Sequence, residues 1–488
     1  MNKGNLKKLG FIFLILLGVG ILSFTPSLVL GILYYTVPNS YQESYLGELT
    51  SYYEKAKNTS TSKVMLIGGS NIAFGIDVNS MEKDIDEKVA PFGLYATLGT
   101  KLMLDLSLSV IKKGDDVIVA PEINPQAFSL NFNPEIVNQT IGGNFDLIHK
   151  LSWDNRKEVY YHANKYITDN LDINTGKRKI SLSGVYQKSS FDGNCNMIFD
   201  KPGNIMPLKY DPSTVIEFNK DLLNREFIDY LNSYSNTVIS KGAKIYFSFS
   251  PCNILAVNNY SETTILDFYL ALKESLNFPV ISNPLDYIMD SKYFYDTNFH
   301  LNNAGAAIRT NNVINDLMRE KGIQHLSNIP IPEIIEGEVQ PEDKDSEYYD
   351  NVHEHYFVYE DIDKDRCSIS GVTSGGKDLD ELHVPAFHNG KKVMLIKGGT
   401  FDGCDKLKRL CLYSSLSNIA KDGLSGATSL EGIYIYADAD KIIVDNTGGL
   451  LTGVNPECKI YVFEKYYLNY CTNYFWGFYV DKIRSFNP

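Results

Sequence analysis

Three residues in this chain have side chains that could together carry out covalent chemistry: Ser70, Asp296 and His300. Ser70 stands in the run Val64-Met-Leu-Ile-Gly-Gly-Ser-Asn-Ile-Ala-Phe-Gly-Ile-Asp77, just past two glycines that let a substrate come close. A serine hydroxyl is a weak nucleophile and needs a base within hydrogen-bond reach. His300 can be that base, and Asp296, close enough to share a loop with it, can fix its tautomer. The same residues around 70 also fit a plain strand-to-turn junction with a capping serine.

The elements that must position these groups alternate in type. Val64 to Ile67 is a short apolar run, as expected of a strand buried on both faces of a parallel sheet. Thr100 to Lys113 has a helical apolar period, with Gly114 to stop it, and Asp116 to Ala120 reads as another buried strand. Glu217–Ser240, Glu262–Asn277 and Asn303–Lys321 read as helices, and Lys244–Phe249 and Pro279–Ile281 as strands. Alternation of this kind predicts an α/β domain on a doubly wound parallel sheet, and open sheets place ligands at the carboxyl ends of their strands. Residues 130–215 show only short apolar runs and read as an insertion covering the site; Trp153 and His162 within it read as packing and surface residues.

Gly68-Gly69-Ser70-Asn71 and the Asp296–His300 loop together resemble the SGNH (GDSL-like) hydrolase family over roughly residues 60–320. The resemblance implies a three-layer, flavodoxin-like α/β fold with Ser70 as nucleophile, His300 as base and Asp296 orienting it. It also implies oxyanion donors: the Ser70 amide, Gly93 in Pro91-Phe92-Gly93-Leu94, and Asn124 in Pro121-Glu122-Ile123-Asn124-Pro125. The chain departs from the family pattern in two ways. The aspartate and histidine are four residues apart rather than three, and the third block lacks its glycine and second acid.

The length suggests two to four domains. Residues 1–8 hold three lysines and no acid, and no charged residue occurs from Leu9 to Gln42. Leu9 to Tyr35 is long enough for a membrane span, with lysines on one side only, which predicts a cytoplasmic N-terminus and an external body. A cleaved signal peptide is the rival reading, but the stretch is long for one and shows no clear cleavage site. The expected division is an anchor over 1–36, the hydrolase-like domain over 37–328, entered through a polar helical stalk over 43–62, an acidic proline-containing linker over 329–351, and a repeat domain over 352–488. Between Glu333 and Asp365 thirteen acids face two lysines, so nearly all of the net charge of −13 lies there and says little about the site. A solvated linker is the reading preferred over a calcium site. The acidic balance argues against nucleic-acid binding.

Residues 399–410 recur at 422–433, an offset of 23, with a looser copy ending at Lys459-Ile-Tyr-Val462. This texture resembles the leucine-rich repeats of BspA-like bacterial surface proteins. It implies a short solenoid in which Leu410–Leu412, Ile433–Ile435 and Ile460–Val462 are adjacent strands and Trp476 caps the last repeat's core. The seven cysteines include no Cys-x-x-Cys pair, so neither a disulfide framework nor a zinc site is expected, and Cys404 and Cys411 fall at core positions. His353 and His355 beside acids form at best a weak surface metal site; no metal and no cofactor are expected.

Exported, anchored members of the resembled family act on acyl groups of envelope sugars, and one subgroup works with a membrane acyltransferase. The expected function is therefore a single-pass cell-membrane esterase or O-acyltransferase acting on acetyl groups of cell-surface polysaccharide. The alternative is a surface adhesin that uses the repeats and carries an inactive hydrolase-like domain. A peptidase is disfavoured, because nothing marks a side-chain specificity pocket.

Overall fold

Continuous apolar strands need cover on both faces, and the first sheet shows that requirement met. In the computed structural model, which describes residues 28–486 except 178–179, 181–183, 207–208, 212–213, 259, 336–352, 414, 440, 446–447, 464–465 and 474, strands β1 (Lys63–Gly68), β2 (Lys88–Phe92), β3 (Asp116–Ala120) and β4 (Lys244–Phe247) form a parallel sheet in the order β2-β1-β3-β4. Val64, Met65 and Ile67 of β1 and Val117 to Val119 of β3 are fully buried. The chain is thus an α/β protein with parallel sheets. The winding direction reverses between β1 and β3, and the crevice at such a reversal is where open α/β sheets bind ligands.

Most helices form where the periodicity put them, with shorter ends. They span Thr100–Leu108, Arg225–Ser240, Glu262–Ser275 and Asn303–Glu320. The start at 225 rather than 217 is set by Asn224, whose side chain caps the helix by accepting from the Glu226 amide. The short strand expected at 279–281 is reduced to one bridge between Phe247 and Val280. The polar stalk expected over 43–62 is a correction. Its helix, Glu48–Asn58, buries Leu49, Tyr52, Tyr53 and Ala56 in the main core. Those residues follow the i, i+3, i+4, i+7 period of a core-facing stripe, which the polar composition hid.

The anchor expected over Leu9–Tyr35 lies mostly outside the described residues. Residues 28–36 are helical, and among the described residues no helix is long and apolar enough to cross a membrane. The acidic linker also falls largely outside them.

A second hydrophobic core gathers residues between Phe357 and Ile483, separate from the first. There Glu381–His383, Arg409–Leu412, Gly432–Ile435, Lys459–Phe463 and Ile483–Phe486 pair side by side in chain order, all parallel. Leu410, Ile433 and Ile460 stand in register and are fully buried, so the three strands expected to be neighbours are neighbours. Parallel in-register pairing stacks like side chains on one face, and the inward column is aliphatic for that reason. On the other face Tyr434 stacks on Tyr461 at 4.6 Å, with the Arg409 guanidinium 3.9 Å from the Tyr434 ring. Trp476 is fully buried and donates to the Ile442 carbonyl at 2.7 Å. All seven cysteines are buried thiols, Cys404 and Cys411 among them.

Candidate functional site

Ser70 is the first residue of a short helix, Ser70–Gly75, that starts directly after β1. Space there is tight. A Cβ on Gly93 would lie 2.6 Å from the Gly69 carbonyl oxygen and 2.7 Å from that of Gly68, so only glycine lets the segment after β2 pass this close to the serine turn. Asn71 is braced on three sides. Its amide donates to Glu122 at 3.2 Å, its Nδ2 donates to the Ala120 carbonyl at 3.2 Å, and its carbonyl and Oδ1 accept from the buried Arg309 guanidinium, the latter at 3.2 Å.

The histidine loop is a small hairpin closed by backbone pairing of Phe294 with Leu301. The Thr297 hydroxyl accepts from the His300 amide at 3.1 Å, and Asn302 caps the following helix at the Gly305 amide, 3.0 Å away. Asn298, fully buried, ties the loop to the insertion by donating to the Asp211 and Thr214 carbonyls. Held this way, His300 Nδ1 lies 2.7 Å from Asp296 Oδ1 despite the four-residue spacing. A carboxylate only accepts, so Nδ1 is the donor in this pair, and Nε2 has no hydrogen-bond partner among the described residues. The imidazole stacks on Phe74 with ring centroids 3.8 Å apart and planes 6° from parallel. Phe74 is four residues after Ser70 on the same helix, so His300 sits over the helical face that begins with the serine.

The structure therefore brings Asp296 and His300 into contact and sets them beside the Ser70 helix, but the Ser70 hydroxyl itself donates to Glu122 Oε1 at 3.1 Å. Glu122 is 3 % exposed and follows β3 at the sheet's reversal point. Asn124, expected as an oxyanion donor, spends its Nδ2 on Glu122 Oε2 at 3.3 Å and its Oδ1 on the Ala127 amide at 2.8 Å. These bonds close the turn after β3 and brace Glu122, and they use only one of the two Nδ2 hydrogens.

Four neighbours were not singled out in the sequence. Tyr186 donates to Asp296 Oδ2, and Lys201 Nζ lies 5.8 Å from the Phe74 ring. Both come from the insertion, whose sparse apolar pattern gives no sign of them. Glu122 had a usable signal, an acid directly after a buried strand, and Arg309 had another, an arginine among small residues on the inward face of a helix.

Burial pushes the Lys201 ammonium down to about 8, against the opposing pull of Asp296. Between about 8 and the ordinary lysine value of about 10.4 the unfolded chain binds more protons at this residue than the folded one, so stability rises with pH across that window. Below about 8 the buried charge is borne in full. Thermal melts of wild type and Lys201→Met should converge or cross as pH is raised from about 7.5 to about 10, with wild type gaining. A difference between the two that does not change with pH would contradict this.

Among the described residues one group has donors close enough for a metal ion: Glu381, His383 and Cys411, on the C-terminal sheet. Both nitrogens of His383 are already engaged, Nε2 with Glu381 at 2.7 Å and Nδ1 with the Tyr413 hydroxyl at 2.9 Å, which fits a structural hydrogen-bond chain better than a ligand set. His353 Nδ1, part of the weak surface site considered from sequence, accepts from the His383 amide at 3.0 Å. No protein-family model matches the chain, and no curated protein matches it.

Proposed function

We propose that this protein is an SGNH-type serine esterase or O-acyltransferase, anchored in the cell membrane by its N-terminus, that acts on acetyl groups of a cell-surface polysaccharide outside the cell. The observation that carries this reading is the buried Asp296–His300 pair stacked over the helix that begins at Ser70. In the proposed reaction the Ser70 hydroxyl leaves Glu122 and turns to His300 Nε2. Its oxygen bonds to the ester carbonyl carbon while its proton passes to Nε2. The tetrahedral oxyanion is held by backbone amides at Ser70 and Gly93. Collapse breaks the bond to the sugar oxygen, which takes the proton from His300 and leaves an acetyl-serine. Water then releases acetate, or a sugar hydroxyl takes the acetyl group. A membrane acyltransferase would supply acyl donor in the transfer version. The C-terminal domain reads as a leucine-rich-repeat solenoid.

A second reading, a surface adhesin with an inactive α/β domain, is favoured by one observation: Ser70 is hydrogen-bonded to Glu122 and not to His300. Labelling of the full-length chain in detergent with a fluorophosphonate separates the two, because it needs neither acceptor nor partner. An activated serine should be modified at Ser70 and protected in His300→Ala. Absence of label from wild type would leave the adhesin reading in place.

A further inference from the structure

We propose that the cavity between the α/β domain and the end of the C-terminal domain is a carbohydrate-binding site that holds the glycan beside the Ser70 site, an inference that rests on the esterase or acyltransferase reading above. The cavity encloses about 710 Å³, within the usual range for ligand sites. Tyr45 and Tyr186 form part of its wall. Their rings lie 6.1 and 6.0 Å from Phe74, which stacks on His300, and the Tyr186 hydroxyl reaches Asp296. One side of the cavity is therefore the back of the histidine–aspartate pair. On another side Gln126 donates to the Ala96 carbonyl at 3.3 Å, and Ala96 packs against Gly69, next to the serine.

The lining has the chemistry a sugar requires. Tyr95, Phe132 and Phe478 give it aromatic surface for the C–H faces of a pyranose, and the carboxamides of Gln126, Asn131 and Gln139 offer donors and acceptors for hydroxyls. The charged members are internally paired. Lys165 meets Asp169 at 3.0 Å and Asp481 at 3.7 Å, and His162 meets Glu135 at 3.4 Å. That leaves little positive charge to select a phosphate or polyanion. An acyl chain would be poorly served by walls carrying five carboxamide residues.

The position of Phe478 gives the C-terminal domain a part in recognition. It comes two residues after Trp476, which is buried in the cap of the second core, and it is 40 % exposed on the cavity side. Closing the repeat core thus delivers an aromatic ring to a site whose opposite wall belongs to the other domain.

The test uses the full-length chain in detergent, with Phe478→Ala and Gln139→Ala as variants that leave Ser70, Asp296 and His300 untouched. Binding is read by calorimetry with de-acetylated xylan, glucomannan and peptidoglycan fragments, and turnover is read separately with 4-nitrophenyl acetate. The expected result is that wild type binds at least one of these glycans, that each variant binds it about tenfold more weakly, and that 4-nitrophenyl acetate kinetics stay within about twofold. Wild type binding none of the glycans, or both variants binding as wild type does, overturns the proposal. So does a preference for 4-nitrophenyl laurate over acetate that Phe478→Ala removes, which would make the cavity an acyl-chain site. Failure of the underlying reading looks different: glycan binding lost in the variants, with no ester turnover by wild type.

Discussion

Ser70→Ala is expected to abolish acetyl-ester hydrolysis or transfer while leaving thermal stability within about 1 kcal/mol of wild type. The hydroxyl makes one hydrogen bond, to Glu122 at 3.1 Å, and Ser70 starts a helix whose geometry is set by its neighbours, so little packing is lost with the oxygen. His300→Ala should lower turnover nearly as far, by about 10³-fold or more, because nucleophile and base act as a unit and their losses do not add. Asp296→Asn should hurt less than either. It carries no bond-making atom, although an amide at this position can donate to Nδ1 and hold the wrong tautomer. The measurement is release of 4-nitrophenol from its acetyl ester, followed by acetate release from an acetylated polysaccharide. A Ser70→Ala protein as active as wild type would remove the reaction from this site. Productive attack also requires the serine to give up Glu122. An ordinary hydrogen bond contributes about 0.5–1.5 kcal/mol, a resting-state cost that substrate binding must offset.

What could be read from the sequence divides along physical lines. The strand before Ser70, the strand before Pro121 and the helix after His300 are continuous or periodic apolar segments, and burial alone dictates such elements. The pairing of Asp296 with His300 was legible because both lie on one loop, where sequence distance bounds spatial distance. The partners of Ser70 and Asp296 were not. Glu122 and Tyr186 lie 52 and 110 residues away in the chain from the groups they bond. Long-range meetings of this kind are fixed by sheet order and by the path of an insertion with four helices between Pro134 and Asn174, neither of which any local pattern encodes. The helix Glu48–Asn58 shows the opposite failure. Its apolar stripe was present in the sequence, but three of its buried positions are tyrosine or alanine, which a reading weighted toward aliphatic residues passes over.

Arg309→Ala should unfold the α/β domain at a markedly lower temperature and should also slow the proposed ester turnover at temperatures where it remains folded. Arg309 is 1 % exposed, and its guanidinium donates to the carbonyl and Oδ1 of Asn71, the residue next to Ser70. The fit is close. A Cβ on Gly75 would come 2.5 Å from Arg309 Nη1, so the glycine that ends the Ser70 helix is there to admit the arginine. Its Nε makes no hydrogen bond, and the hydrogen-bond acceptors of its Nη atoms are the two oxygens of Asn71. Truncation would leave a cavity and two buried acceptors on Asn71 without donors, a loss of about 3–5 kcal/mol. The corresponding drop in the domain's melting temperature is about 5–10 °C. Arg309→Lys should recover part of the stability, since an ammonium can reach one of the two oxygens but lacks the planar fork that spans both. Kinetics distinguish bracing from simple packing. If Asn71 holds the serine turn in place, both variants should lose kcat on 4-nitrophenyl acetate with KM nearly unchanged. An Arg309→Ala protein that melts within about 2 °C of wild type and keeps its kcat would show that the serine turn stands without this arginine.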